Sequence, residues 1–287
     1  MPICLFKSIS QRFLTKYKAS SNGVNFVKLK LYQIDAFAEK PFEGNPAAVV
    51  PLEEWLPDQI LQKIAEENNL AETAYYIPKA NGFEIRWFTP GSEVKLCGHA
   101  TLASAAVLFN EFDYSQDEIV FDSLTGPLRI TRNGDLLTLN FPTQVPSICE
   151  TPRNLIVGLG IEPSDCLANE DYLAVYEDEE TLVSIEPKAE PLKCLDRRGV
   201  IATAPSNQYD FVSRFFAPKV AILEDTVTGS SFTHLIPYWA ERLGKKKMTA
   251  KQVSPRGGVV HCELTGDRVL ISGKAVKYLE GEIEINT

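Results

Sequence analysis

The chain has 287 residues, is 44% apolar and 23% charged, and carries a formal net charge of −9. That length suits two domains of ordinary size. The acidic balance excludes the clustered Lys and Arg that binding a phosphate backbone requires, so a small organic ligand is expected rather than a nucleic acid. No stretch approaches the roughly 20 apolar residues that span a bilayer, and no membrane role is expected. The six cysteines, Cys4, Cys97, Cys149, Cys166, Cys194 and Cys262, are scattered without a CxxC pair. They share no metal-ligand spacing with the three histidines, which predicts reduced thiols in a cytoplasmic protein and no metal.

Residues 1–28 are basic, with Lys7, Arg12, Lys16, Lys18 and Lys28, and the first acid in the chain is Asp35. Transit peptides and plain N-terminal extensions share this composition, and an extension is the simpler reading. From Val27 to Phe37 apolar and polar residues alternate as in a strand. Gly44-Asn45-Pro46 then turns the chain toward the apolar run Ala47 to Val50, predicting a hairpin. Ile60, Leu61, Ile64 and Ala65 have the spacing of an amphipathic helix begun near Pro57. Two short β-rich segments follow, Ala74 to Ile77 and Gly82 to Phe88, before the turn Thr89-Pro90-Gly91. The next helix, Gly98 to Phe112, is apolar or small on every side and must be enclosed by its own domain.

The plan then recurs. Arg86-Trp87-Phe88-Thr89-Pro90 returns as Arg214-Phe215-Phe216-Ala217-Pro218, an offset of 214 − 86 = 128 residues, and a second Gly turn leads into a second apolar helix, Gly229 to Leu243. An internal duplication follows, with halves at residues 29–148 and 149–287. Each half is expected to be a curved sheet around a buried helix, with a small-molecule cleft between them.

Candidate chemistry collects at the two Gly turns. The first amides of a helix lack intrahelical partners and carry partial positive charge, so each helix start is a candidate anion site. Gly98 and Gly229 permit close approach of a ligand, and Thr228 and Ser230 add hydroxyl donors. Next to the turns stand His99 and Asp225, read as equivalently placed in the two repeats. Glu72, flanked by apolar and small residues where a loop enters a strand, is a candidate acid/base, and burial is expected to raise its pKa toward neutrality. A core histidine, a capping Asp or Ser and a surface Glu are the structural alternatives for these residues.

Five ordered motifs resemble the PhzF family, the phenazine-biosynthesis-like isomerases: Asp35-Ala36-Phe37 to Gly44-Asn45-Pro46-Ala47-Ala48-Val49, Asn69 to Thr73, Leu96 to Thr101, Glu224 to Ser230 with Pro237-Tyr238-Trp239, and Ser254-Pro255-Arg256-Gly257-Gly258. The resemblance implies an α+β fold similar to diaminopimelate epimerase, in two pseudo-symmetric halves, each a β-barrel-like sheet around a central helix. It also implies a homodimer, no cofactor and no metal, and proton transfer on a small carboxylate-bearing, anthranilate-like or amino-acid-like substrate. Glu72 matches the family's acid/base, and His99, Asp225 and Ser230 match the rest of its site, with Asn45, Gly98, Ala100, Thr228 and Gly229 lining it. Thr226 and Ser231-Phe232-Thr233 depart from the family's Pro and Ala-His-Cys. A two-thiol racemase, as in the epimerase relatives, is disfavoured because no cysteine lies between Cys194 and Cys262, which leaves Cys97 as a buried small apolar residue. A hydrolase using Ser230 lacks a GxSxG pattern. A non-catalytic binding or interaction protein on the same scaffold is the alternative from another class.

Overall fold

The computed structural model describes residues 18–19 and 25–286. Most of the expected extension lies outside the described residues. Within it, Lys18–Ala19 pairs with the start of the strand Asn25–Ala36.

Two compact units divide the chain. One takes the residues up to Ala36 with Pro46–Leu139 and Lys274–Thr287; the other takes Phe37–Asn45 and Asn140–Gly273. The sequence reading divides the chain between residues 148 and 149, whereas these units part at Leu139 and exchange segments. One cause is visible in the register: Ala275–Asn286 pairs antiparallel with Asn25–Ala36 along its length, so the C-terminal strand belongs with the first unit.

The duplication appears as strand pairing. In the first unit Asn45–Pro51 runs parallel to Glu72–Lys79, which pairs antiparallel with Gly82–Phe88. That strand runs parallel to Glu118–Ser123, and two antiparallel pairings then bring in Gly126–Asn133 and Leu136–Pro142. In the second unit Tyr172–Val175 runs parallel to Val200–Pro205, which pairs antiparallel with Phe211–Ala217. Phe211–Ala217 runs parallel to Lys247–Gln252, followed again by two antiparallel partners, Gly258–Thr265 and Arg268–Gly273. The two lists of pairings have the same order and the same directions.

Each unit holds one buried helix. In Gly98–Glu111, every residue from His99 to Phe109 is buried. The helix packs on Asn25–Ala36, Glu72–Lys79 and Ala275–Asn286. Its few hydroxyls find partners inside the helix: Thr101 Oγ1 donates to Cys97 O at 2.5 Å and Ser104 Oγ to Ala100 O at 2.8 Å, so burial leaves neither unsatisfied. In the second unit the helix begins as a tight 3₁₀ turn, Gly229–Ser231, and continues as Phe232–Leu243 with Pro237 inside it. Proline has no N–H for the carbonyl four residues back. The Thr233 carbonyl thus left over accepts from Gln144 N at 3.0 Å. Trp239 stacks on Phe211 with centroids 5.4 Å apart and donates Nε1–H to Thr203 Oγ1 at 2.9 Å, which anchors the helix to its sheet.

The repeated arginines tie each sheet to the segment that leads into its helix. Arg86 forks onto Glu93 at 2.7 and 2.8 Å and lies over the Phe88 ring; Arg214 forks onto Glu224 at 2.8 and 2.9 Å and lies over Phe216. These planar bidentate pairs fix both distance and orientation. They also set the register between the repeats, since 98 − 93 = 5 and 229 − 224 = 5 residues separate each glutamate from the glycine that opens its helix.

Candidate active site

Glu72 is the first residue of the strand Glu72–Lys79 and is placed by the turn before it. The helix Asp58–Asn68 ends at Asn69, whose φ of 48° is left-handed and whose N–H reaches Ala65 O at 3.1 Å. Asparagine tolerates that conformation better than most residues with a side chain. Asn68 Nδ2 then donates to Thr73 Oγ1 at 3.1 Å, and Ala47 pairs with Glu72 across the parallel ladder. Both ends of the turn are pinned, so the Glu72 side chain has a defined origin.

Its partner is His99, the second residue of the buried helix. His99 Nε2 and Glu72 Oε2 form an ion pair at 3.1 Å, with side chains only 7% and 12% exposed. The other ring nitrogen, Nδ1, lies 3.5 Å from Cys97 Sγ. One imidazole therefore bridges a thiol and a carboxylate, one nitrogen to each.

The electrostatics correct one sequence-based expectation. Burial pushes the Glu72 carboxyl up, but the charge and hydrogen bond of His99, with a hydrogen bond from Cys97, outweigh it and hold Glu72 below the ordinary glutamate value. Burial alone would lower His99, yet Cys97 and Glu72 lift it well above the usual imidazole range. The Cys97 thiol is pushed up to about 11, first by burial and then by the Glu72 charge. The directions of these shifts favour a charged Glu72 with protons kept on His99 and on the Cys97 thiol. Among the described residues Glu72, Cys97 and His99 are the only Cys, His, Asp or Glu cluster with donor atoms all within 4.8 Å of one another.

Cys97 is a second correction. It is buried, as expected, but it is a hydrogen-bonding partner of His99 rather than apolar filling.

Asp225, Thr228 and Asn45 form a separate network in the second unit. Asp225 Oδ1 accepts from Asn45 Nδ2 at 2.8 Å and Thr226 N at 2.9 Å, and Oδ2 accepts from Thr228 Oγ1 at 2.5 Å. Asn45 Nδ2 also donates to Val227 O, while Gln252 receives Thr228 N and donates to Asp225 O. These bonds make Asp225 the organiser of the turn that ends at Gly229. The expected equivalence of His99 and Asp225 does not hold. With Glu93 aligned to Glu224 and Gly98 to Gly229, the counterpart of His99 is Ser230, that of Cys97 is Thr228, and that of Asp225 is Val94.

Ser230 Oγ accepts from Arg198 Nη2 at 3.1 Å. A guanidinium can only donate, so the Ser230 hydroxyl proton is left to point at another acceptor. Arg198 also forks onto Asp171, which is fully buried, with Nε 3.0 Å from Oδ1. Gly98, Ala100 and Gly229 sit in the first turns of their helices, where free amides are expected. Sequence reasoning missed Arg198, Asp171 and the buried His234. Only Arg198 stood out in principle, as a cation in the run Arg197-Arg198-Gly199 just ahead of an apolar strand.

Residues 34–281 match the PhzC-PhzF family, described as phenazine biosynthesis-like protein. An uncharacterized isomerase of Pseudomonas aeruginosa is 48% identical over 259 residues, covering 90% of this chain and 100% of the relative. The human phenazine biosynthesis-like domain-containing protein is 39% identical over 297 residues, 90% of this chain and 99% of its own. The crystal structure of a PhzF-family protein from Enterococcus faecalis superposes with a TM-score of 0.88 at 44% identity, covering 90% of this chain and 99% of that one. At the level of fold alone, a hydroxyproline epimerase from Agrobacterium vitis superposes with a TM-score of 0.58 at 12% identity, over 91% of this chain and 93% of its own. The α+β, epimerase-like architecture expected from the sequence is the one observed, and the chain belongs to the PhzC-PhzF family of phenazine biosynthesis-like proteins.

Proposed function

We propose that the protein is an isomerase that moves a proton within a small carboxylate-bearing substrate, anthranilate-like or amino-acid-like, without a cofactor, and that Glu72 is its acid/base. The observation that carries this reading is the Glu72–His99 ion pair at 3.1 Å, nearly buried at the start of the central helix. Glu72 is ionised at neutral pH and ready to accept a proton from carbon. The Nε2 side of His99, 3.1 Å from Glu72 Oε2, steadies that carboxylate between taking the proton from one carbon and returning it to another. Helix amides at Gly98 and Ala100 suit the negative charge that develops on such a substrate. Ser230, with its free hydroxyl proton, suits a carboxylate, and Asn45, Asp225, Thr228 and Gly229 shape the turn that presents it.

The test is turnover in heavy water. A screen of anthranilate-like and amino-acid carboxylates by thermal shift identifies a ligand, and an accepted substrate incorporates deuterium into product. General acid/base groups contribute about 10²–10⁴-fold, so Glu72→Gln is expected to lose at least about 100-fold in kcat. Unchanged turnover in that variant sinks the assignment. Activity that survives dialysis against a strong chelator supports independence from metal. A ligand that binds wild type and Glu72→Gln alike while neither turns it over or exchanges label would instead favour a binding protein.

A further inference from the structure

The mechanism above uses the Nε2 side of His99 and leaves the thiol at its other nitrogen without a task. Cys97 is the residue immediately before the helix Gly98–Glu111, and its Sγ lies 3.5 Å from Nδ1 of His99, two residues on. We propose that Cys97 is a positioning residue: its thiol occupies His99 Nδ1 in both protonation states of the ring, so that Nε2 always carries a proton facing Glu72.

The chemistry of the three groups supports this. The Cys97 thiol stays neutral below about pH 11, and a neutral thiol both donates and accepts. When the ring is an imidazolium, Nδ1–H donates to sulfur and Nε2–H faces Glu72. When the ring is neutral, S–H donates to Nδ1, and the ring is held in the tautomer whose remaining proton is again on Nε2. A carbon side chain at residue 97 would leave Nδ1 buried beside an apolar group, and the tautomer would no longer be selected. Cys97 and Glu72 are titratable groups that act on His99 among the described residues. This inference rests on the Glu72 reading for its functional meaning, but its test needs no substrate.

The experiment is ¹⁵N nuclear magnetic resonance of the histidine side chains in full-length protein, from pH 5 to 9. The chain has three histidines, and His234→Gln and His261→Gln variants leave the His99 signals assigned. In wild type, Nε2 of His99 is expected to stay protonated throughout; an unprotonated Nε2 at any pH overturns the proposal without recourse to a variant at residue 97. Cys97→Ala removes the acceptor for Nδ1–H and is expected to lower the His99 titration midpoint by about one pH unit. Cys97→Ser keeps a donor and acceptor and is expected to restore it. No shift in Cys97→Ala, or equal shifts in the Ala and Ser variants, overturns the proposal. Loss of deuterium wash-in on Glu72→Gln is a separate measurement, so failure here leaves the acid/base assignment standing.

Discussion

The buried ion pair makes a prediction about stability against pH. At effective dielectric constants near 20, opposite charges at the Glu72–His99 distance of 3.1 Å attract by about 5 kcal/mol, part of which offsets the desolvation of both groups. Removing one partner leaves the other buried and unpaired, so Glu72→Gln and His99→Gln are each expected to cost about 3–5 kcal/mol when the pair is fully charged. The window follows from the directions of the two shifts. Glu72 is lowered in the folded state, so its contribution is complete above the unfolded value of 4.5 and disappears as pH falls through the folded value. His99 is raised, so its contribution is complete below the unfolded value of 6.5 and disappears as pH rises through the folded value. Both are complete together only between pH 4.5 and 6.5. Urea unfolding of wild type, both single variants and the double variant gives the coupling energy at each pH, with effects of other titrating groups largely cancelling. A maximum inside that window, with decline on both sides, is expected. A coupling energy that is flat from pH 4 to 9 refutes the charge assignment.

Other expectations concern the supports of the site. Arg214 holds Glu224 and also donates from Nη1 to the carbonyls of Leu182, Val183 and Ile185, with only 9% of its side chain exposed. Arg214→Ala should therefore cost about 3–5 kcal/mol in urea unfolding, whereas Arg86→Ala should cost about 1–2, because one of its two acidic partners, Asp58, is 74% exposed. If Asp225 chiefly organises its turn, Asp225→Ala lowers stability by about 3 kcal/mol through its three charge-assisted hydrogen bonds; an unchanged melting temperature would instead reserve the residue for substrate. Asn69→Val forces a β-branched residue into the left-handed region and is expected to cost about 1–2 kcal/mol, with Asn69→Gly nearly neutral.

Much of this is legible in the sequence. The aromatic pentapeptide and the following Gly turn announced a duplication, because a repeated Arg-x-Phe strand needs the same acidic partner and the same turn each time. The central helix from Gly98 was legible because an all-apolar helix admits only an enclosed position. What escaped was whatever depends on a side chain meeting a partner far away in sequence or at a helix start. Nothing in the spacing reveals that Ala275–Asn286 returns to pair with Asn25–Ala36, since strand pairing carries no sequence-local mark. The partnership of Cys97 with His99 depends on the extended backbone of Cys97 as the chain enters the helix, with φ −146° and ψ 108°. The direction of the Glu72 shift is not legible for the same reason: its neighbours suggest burial, but not the opposing charge of His99.

The register between the repeats carries one further step. Duplication would be expected to place like residues at like positions, and for Arg86 and Arg214, Glu93 and Glu224, and Gly98 and Gly229 it does. At the two helix starts the halves diverge. The first carries Cys97 and His99 where the second carries Thr228 and Ser230, and the second has Asp225 where the first has Val94. An imidazole titrates near neutral pH, whereas aliphatic hydroxyls serve as hydrogen-bond donors and acceptors without ionising. One helix start therefore carries side chains that titrate and the other carries hydroxyls that only hydrogen-bond. That division supports the proposed assignment of acid/base work to Glu72 beside His99, in preference to one base from each repeat.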